Sequence, residues 1–229
     1  MDTSVSRKEA IIRAAGEIFI ENGYRMTTIR QICARAGVNV AAVNYYFVDK
    51  KNLYMEVLRY YKGIAFKKYP PDMGIKKSDP PQQKLKSFIR SFITRTLEEG
   101  PSAGFGKLMA REFVEPTDVL DELINDVIGP SFLMLTEIVR EICGRREAED
   151  DAVNLCAMSI LGQCLYFRTS SRIVNQMLKK KQFSPQEIND LAQHVYQFSL
   201  FALKNYFKTS GKVKTSMMKT VKKEQVRLS

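Results

Sequence analysis

Residues 36–53 read AGVNVAAVNYYFVDKKNL, and the short run between the glycine and the two lysines decides the fold. The spacing predicts a helix over 40–47, too polar for a core and too small to stand alone. A helix of about seven residues does not hold itself, because nucleation costs more than so few hydrogen bonds return. It must be held by neighbours and used for its exposed face. Gly37 permits a tight turn, and Val38, Val43 and Phe47 are spaced to anchor the short helix against the one expected over 28–36, the arrangement of a helix-turn-helix. That leaves Asn39, Val40, Ala41, Ala42, Asn44 and Tyr45 outward. Alanine side chains let a helix lie close to the floor of a DNA major groove, asparagine amides can read base edges, and alanine methyls can touch thymine methyls. Lys50 and Lys51, at the exposed start of the next helix, are placed for backbone phosphates, and Thr27 or Thr28 can donate at the other flank.

Outward from this segment, nearly everything reads as helix. Ser6 and Glu9 have the spacing of a capping box, and Ile11, Ile12, Ala15, Ile18 and Phe19 repeat at helical period until Asn22-Gly23. Thr28 with Gln31 opens the second helix, which ends at Gly37. A fourth runs from about Asp49 through Leu53, Val57, Leu58 and Tyr61 to about Tyr69. YPPDMGIKKSDPPQ (69–82) is the one Pro/Gly-rich break. Later helices are expected from Asp79-Pro80, near Ser102, and from Thr117 to Cys143, with a break or kink at Gly129-Pro130. Two long apolar helices follow, over about 150–178 and over 185–207, the latter opened by Ser184, Pro185 and Glu187. The expected fold class is all-α. Its parts are a helix-turn-helix domain over 1–62, a helical ligand-binding and dimerisation domain over 63–207, and a basic disordered tail over 208–229.

Charge supports this division. The 229 residues carry a net +11. Residues 1–62 have 10 Lys/Arg against 6 Asp/Glu, residues 63–203 have 18 of each, and residues 204–229 have 8 against 1. A basic excess at the two ends of a neutral body favours a nucleic-acid partner for the ends. The longest apolar run, LCAMSILGQCLYF (155–167), contains Gln163 and is too short for a membrane span, so no membrane partner is expected. MDTSVSRKEA lacks the apolar stretch of a secretory signal. Four cysteines without a CxxC spacing suit reduced thiols in a cytoplasm.

TTIRQICARAGVNVAAVNYYFVDKKNL (27–53) resembles the N-terminal domain of TetR-family transcriptional regulators. The likeness covers residues 7–62 and includes the AGV turn, the YF end of the recognition helix and the K-x-x-L that begins the next one. It departs from the commonest pattern at Asn39, Ala41 and Asn44; the phosphate contact that the family often gives a tyrosine at position 44 would pass to Tyr45 or Tyr46. The resemblance implies a homodimer whose C-terminal helices, here 150–178 and 185–207, form a four-helix interface. It also implies an internal pocket whose small-molecule ligand moves the fourth helix and changes the spacing of the two DNA-reading domains. REFVEPT (111–117) and DD…GQCLYFR (150–168) are similar to the CecR-like subgroup, whose members tend to govern genes for drug export. Together these imply a repressor released from a palindromic operator by a hydrophobic or amphipathic ligand.

His194 stands alone among apolar neighbours, and no nucleophile-and-base set accompanies it, so an enzyme is not expected. Gly104-Phe105-Gly106 imitates a dinucleotide loop without a preceding strand and reads as a turn or a packing site. Cys156 and Cys164 share a helix face as space-filling thiols rather than a metal pair. No cofactor is expected. A pocket, if present, would draw on Phe88, Phe92, Phe105, Met109, Phe113, Phe132, Gln163, Phe167 and Arg168, with Arg168 pairing Glu112 or Glu115 or holding an anion. A non-specific DNA coater and a helical protein-interaction module remain the alternatives.

Overall fold

The computed structural model describes residues 3–100, 102–144 and 151–209. Apart from its first two residues, the tail expected over 208–229 lies outside the described residues; Lys208 and Thr209 belong to the last helix. Among the described residues there is no strand. The helices are α1 (Thr3–Met26), α2 (Ile29–Ala36), α3 (Val40–Phe47), α4 (Lys50–Lys68), α5 (Pro81–Leu97), α6 (Ala103–Val114), α7 (Leu120–Leu123), α8 (Gly129–Cys143), α9 (Asp151–Thr169), α10 (Ser171–Met177) and α11 (Pro185–Thr209).

Local chemistry sets most of the ends. Thr28 and Gln31 form a reciprocal capping box at α2, with Thr28 Oγ1 accepting from Gln31 N at 3.2 Å and Thr28 N donating to Gln31 Oε1 at 2.8 Å. Gly37 ends α2 in the left-handed conformation, at φ 66° and ψ 34°. Asp49 caps α4 by accepting from Asn52 N at 2.7 Å. Ser184 Oγ and Glu187 do the same for α11.

Two expectations are corrected and one is made specific. Ser6 lies inside α1, which already begins at Thr3; Glu9 is occupied by Arg13 and by Tyr60 Oη of α4 instead of closing a cap. At Gly129-Pro130 the helix is irregular, as a kink would be, but not broken between α7 and α8. The helix widens there into a π turn over Ile124–Ile128, with Gly129 N–H bonded to Ile124 O. Pro130 has no N–H to offer Asp126 O, and Lys62 Nζ of α4 donates to that carbonyl at 2.8 Å. Finally, the helix expected over 150–178 divides at Ser170 into α9 and α10. The run RTSS favours this, since hydroxyls there compete for backbone groups; Thr169 Oγ1 donates to Leu165 O at 3.1 Å.

Two apolar cores result. The first joins α1–α4 to α6 and the π turn, through residues such as Phe19, Ile32, Phe47, Leu53, Leu58, Phe105, Leu108 and Val127. The second is made by α5, α8, α9 and α11, with Leu85, Phe88, Ile89, Leu135, Val153 and Val195. α4 runs unbroken past residue 62, where the sequence placed a boundary, and α6 packs against both α1 and α5. α4 and α6 are thus the elements that join the two halves of the molecule.

Candidate functional site

Val43 and Phe47 are buried and Val38 is half-buried, so α3 is pinned to α2 along the side the sequence assigned. Asn39, Val40, Ala41, Asn44 and Tyr45 are exposed, Tyr45 at 83%, while Ala42 and Tyr46 are half-buried. The Tyr46 ring is held edge-on to Tyr45 at 5.1 Å and tilted against Phe47 at 6.1 Å. Asn39 is also the N-cap of α3, its Oδ1 accepting from Ala42 N at 2.9 Å. Its amide N–H groups make no bond within the protein among the described residues, and Oδ1 keeps one lone pair. Val48 ends α3 at φ 66° and ψ −55°, and Asp49 N bonds to Phe47 O at 2.7 Å across it. This is the rare γ-turn with positive φ, an unfavourable conformation for a β-branched residue.

The two threonines differ. Thr27 is 1% exposed and its hydroxyl donates to Gly23 O at 2.7 Å, so it cannot reach a phosphate. Thr28 is exposed at the start of α2, with its hydroxyl in the capping box. Lys50 Nζ stands 4.3 Å from the Tyr24 ring and 3.5 Å from Arg25 O, and partial burial lowers its pKa. Lys51 Nζ pairs with Glu122 of α7 at 3.3 Å. Sequence reasoning passed over Arg25 and Arg30, which are exposed beside this face and have no carboxylate partner among the described residues. Their signal was charge alone, which many solvated faces share.

A cavity of ≈ 120 Å³ lies between α4, α5, α6, α9 and the start of α8. Of the residues the sequence offered for a pocket, Phe92, Phe105, Met109, Phe113 and Arg168 line this cavity, and Phe88, Phe132, Gln163 and Phe167 lie elsewhere. Phe88 and Phe132 belong to the second core. Phe167 packs against Phe183, and Gln163 turns to a groove between α9 and α11. Arg168 pairs with Glu99 at 3.2 Å rather than with Glu112 or Glu115. Glu112 is buried and accepts from Tyr54 Oη at 3.1 Å, Thr117 N at 2.7 Å and Thr117 Oγ1 at 2.8 Å. The residue missed altogether is Arg95, 4% exposed in the cavity wall beside Phe66 of α4.

Interface and cavity share supports. α6 lines the cavity and also meets the first core, where Gly104 admits the Tyr61 ring so closely that an added Cβ would lie 2.2 Å from it. Gly16 of α1 receives the same ring, at 2.3 Å. Gly104-Phe105-Gly106 is thus a packing site inside a helix. His194 is exposed and stacks on Phe198.

A short, exposed, capped helix seated on a helix-turn-helix, with cations at its flanks, defines a DNA-binding transcriptional regulator. The model for bacterial regulatory proteins of the tetR family matches residues 11–57, and that for the C-terminal domain of the HTH-type transcriptional dual regulator CecR matches residues 81–204. The chain belongs to the TetR family of transcriptional regulators, with a C-terminal domain of the CecR type, and is not an enzyme. It is similar to CecR of Shigella flexneri, with 28% identity over 177 residues that span 73% of this chain and 78% of that protein. RutR of Escherichia coli K12 is 30% identical over 123 residues, or 53% of this chain and 55% of RutR. The crystal structure of HlyIIR, a hemolysin II transcriptional regulator, superposes with a TM-score of 0.62 at 27% identity, covering 85% of this chain and 97% of that one. FadR from Bacillus subtilis, solved with stearoyl-CoA, shares the fold at a TM-score of 0.63 and 20% identity, over 84% of this chain and 97% of FadR. Among the described residues, no helix is long and apolar enough to cross a membrane.

Proposed function

We propose that the protein is a homodimeric repressor that leaves a palindromic operator when a small amphipathic molecule enters the cavity. The observation that carries this is the double engagement of α4: its first residue follows the turn out of α3, and Phe66 in its last turn lines the cavity. A ligand that prefers one placement of α4 biases the position of the DNA-reading helix. Asn39, Val40, Ala41, Ala42, Asn44 and Tyr45 are the base-reading face in this reading, and Thr28, Tyr46, Lys50 and Lys51 the phosphate contacts. Arg25 and Arg30 join the latter group. The dimer is supported by α9 and α11, which flank a groove and expose Met158, Tyr166, Phe198 and Phe201. Two subunits would place their α3 helices in half-sites roughly 34–36 Å apart, or a multiple of that. The likeness of REFVEPT and GQCLYFR to the CecR-like subgroup extends the proposal to drug-export genes.

Selection of binding sites from a random duplex pool at physiological salt tests this reading. A palindromic consensus, occluding a promoter in transcription assays, is the expected result. An unenriched pool with the dimer intact would leave a DNA coater or a protein-interaction module; activation from the selected site would overturn repression.

A further inference from the structure

We propose that the effector is an anionic amphipath, and that Arg95 both meets its negative group and relays its arrival to α4. This rests on reading the cavity as the effector site. The cavity wall contains two arginines and no aspartate or glutamate. Arg168 is already compensated by Glu99. Arg95 has no carboxylate partner among the described residues, although it is among the most deeply buried polar side chains. Its guanidinium lies 4.4 Å from the Phe66 ring and 5.5 Å from the Phe92 ring. Nη1 makes both of its hydrogen bonds, to Tyr69 O at 2.8 Å and to Ser91 Oγ at 3.3 Å. Nε and Nη2 have no protein acceptor among the described residues.

A buried guanidinium held only by neutral acceptors and aromatic faces carries a desolvation cost that a counter-charge removes. The unused edge suits a carboxylate or a phosphate, each of which accepts from an arginine bidentately. Burial lowers the Arg95 pKa to about 10, so the cation persists at neutral pH. Apart from Thr96, Ser131 and Thr169, the rest of the wall, including Phe105, Met109, Leu161 and Leu165, is apolar and suits a hydrocarbon body.

The same side chain explains transmission. Tyr69 is the C-cap of α4, and Arg95 places a positive charge on its carbonyl, where the negative end of the helix dipole favours it. Phe66, under the guanidinium, is in the last turn of α4. An anion drawing the guanidinium into the cavity weakens both contacts together and frees the end of α4.

Binding of octanoate, octyl phosphate and octanol to the intact dimer, followed by calorimetry, tests the charge requirement. The two anions are expected to bind about tenfold or more tightly than the alcohol, and to weaken binding of the selected operator duplex. Their relative strengths distinguish a carboxylate from a phosphate effector. Arg95→Gln, which keeps an amide donor for Tyr69 O, is expected to abolish the anion preference, so that the two anions bind no more tightly than octanol. Arg95→Lys should retain the preference in reduced form. Octanol binding as tightly as the anions, in the wild-type protein alone, would overturn the anionic effector and leave the cavity as an effector site. If none of the three binds and a larger apolar dye is also refused, the effector-site reading falls with it.

Discussion

Arg111 of α6 donates from Nε to Ile20 O at 2.9 Å and from Nη2 to Glu21 O at 2.8 Å, so one guanidinium closes the last turn of α1 just before Gly23 departs from helical geometry. Gly23 interrupts α1 at this point, and a cation beside carbonyls at the end of a helical stretch suits the dipole. Arg111→Ala is expected to lower unfolding free energy by about 1–2 kcal/mol, since two partly exposed charge-assisted bonds are lost. Arg111→Lys should recover only part, because an ammonium cannot span both carbonyls as a planar fork does. Urea titration of the three proteins decides this; equal midpoints would remove the cap from the account.

Tyr61 lies between Gly16 and Gly104, and the atoms facing Gly104 are Cδ1, Cε1 and Cγ, near the root of the ring. They cannot swing away like a flexible tip. Gly104→Ala should therefore cost about 1–3 kcal/mol by overpacking. In a Tyr61→Leu background the same change should cost much less, a coupling a double-mutant cycle reads directly. Additive effects would mean that the ring and the glycine do not press on each other.

Val48 carries a positive φ of 66° in a γ-turn, and its side chain is 75% exposed, so little packing is lost with it. Val48→Gly should raise stability by about 1 kcal/mol, the relief of strain exceeding the entropy that glycine adds to the unfolded chain. A fall in the thermal midpoint would show that the turn is unstrained.

Burial pushes the Cys164 thiol up to about 12 from a usual value of 9.0. Between these values the folded chain holds a proton that the unfolded chain has released, so stability falls as pH rises through this window and is unaffected below it. One such proton gives a slope of about 1.4 kcal/mol per pH unit. Cys164→Ala should show a shallower decline than the parent between pH 9 and 10.5 in urea unfolding, with equal slopes below pH 8. Parallel curves across the whole range would rule out the thiol as a source of the alkaline loss.

The N-terminal half was legible because its signals are local. Thr28 with Gln31, Gly37 and Asp49 each act within a few residues, and a two-turn helix between such caps has few alternatives. The cavity was half legible. Phe88, Phe92, Phe105 and Phe132 are alike as letters, and whether a ring enters the cavity or the core depends on how α5, α6, α8 and α9 cross. Arg95 was invisible for the opposite reason: an arginine in a helix is normally solvated, and nothing in SFITRTL announces that Tyr69 and two rings will enclose it. Ser6 and the 150–178 helix misled because a capping pattern and an apolar run are permissive signals that tertiary packing overrides.

On the proposed reading Asn39 meets a base and Lys50 a phosphate, though the cap complicates the simplest test. Asn39→Ala removes both the amide and the oxygen that accepts from Ala42 N, so about 1 kcal/mol of helix stability goes with any base contact. Asn39→Ser keeps a capping oxygen but has no amide. It should therefore fold as well as the parent and still relax base preference at one position of each half-site, by about 1–3 kcal/mol of discrimination. Lys50→Ala should weaken binding to every sequence alike and reduce the salt slope by about one unit per subunit, as loss of a phosphate contact does. Binding of each variant to operator and scrambled duplexes over a salt series gives both quantities. If Asn39→Ser keeps full discrimination while Asn39→Ala loses affinity for all duplexes, Asn39 acts only as the cap of α3 and the base readout belongs to Asn44 and Tyr45.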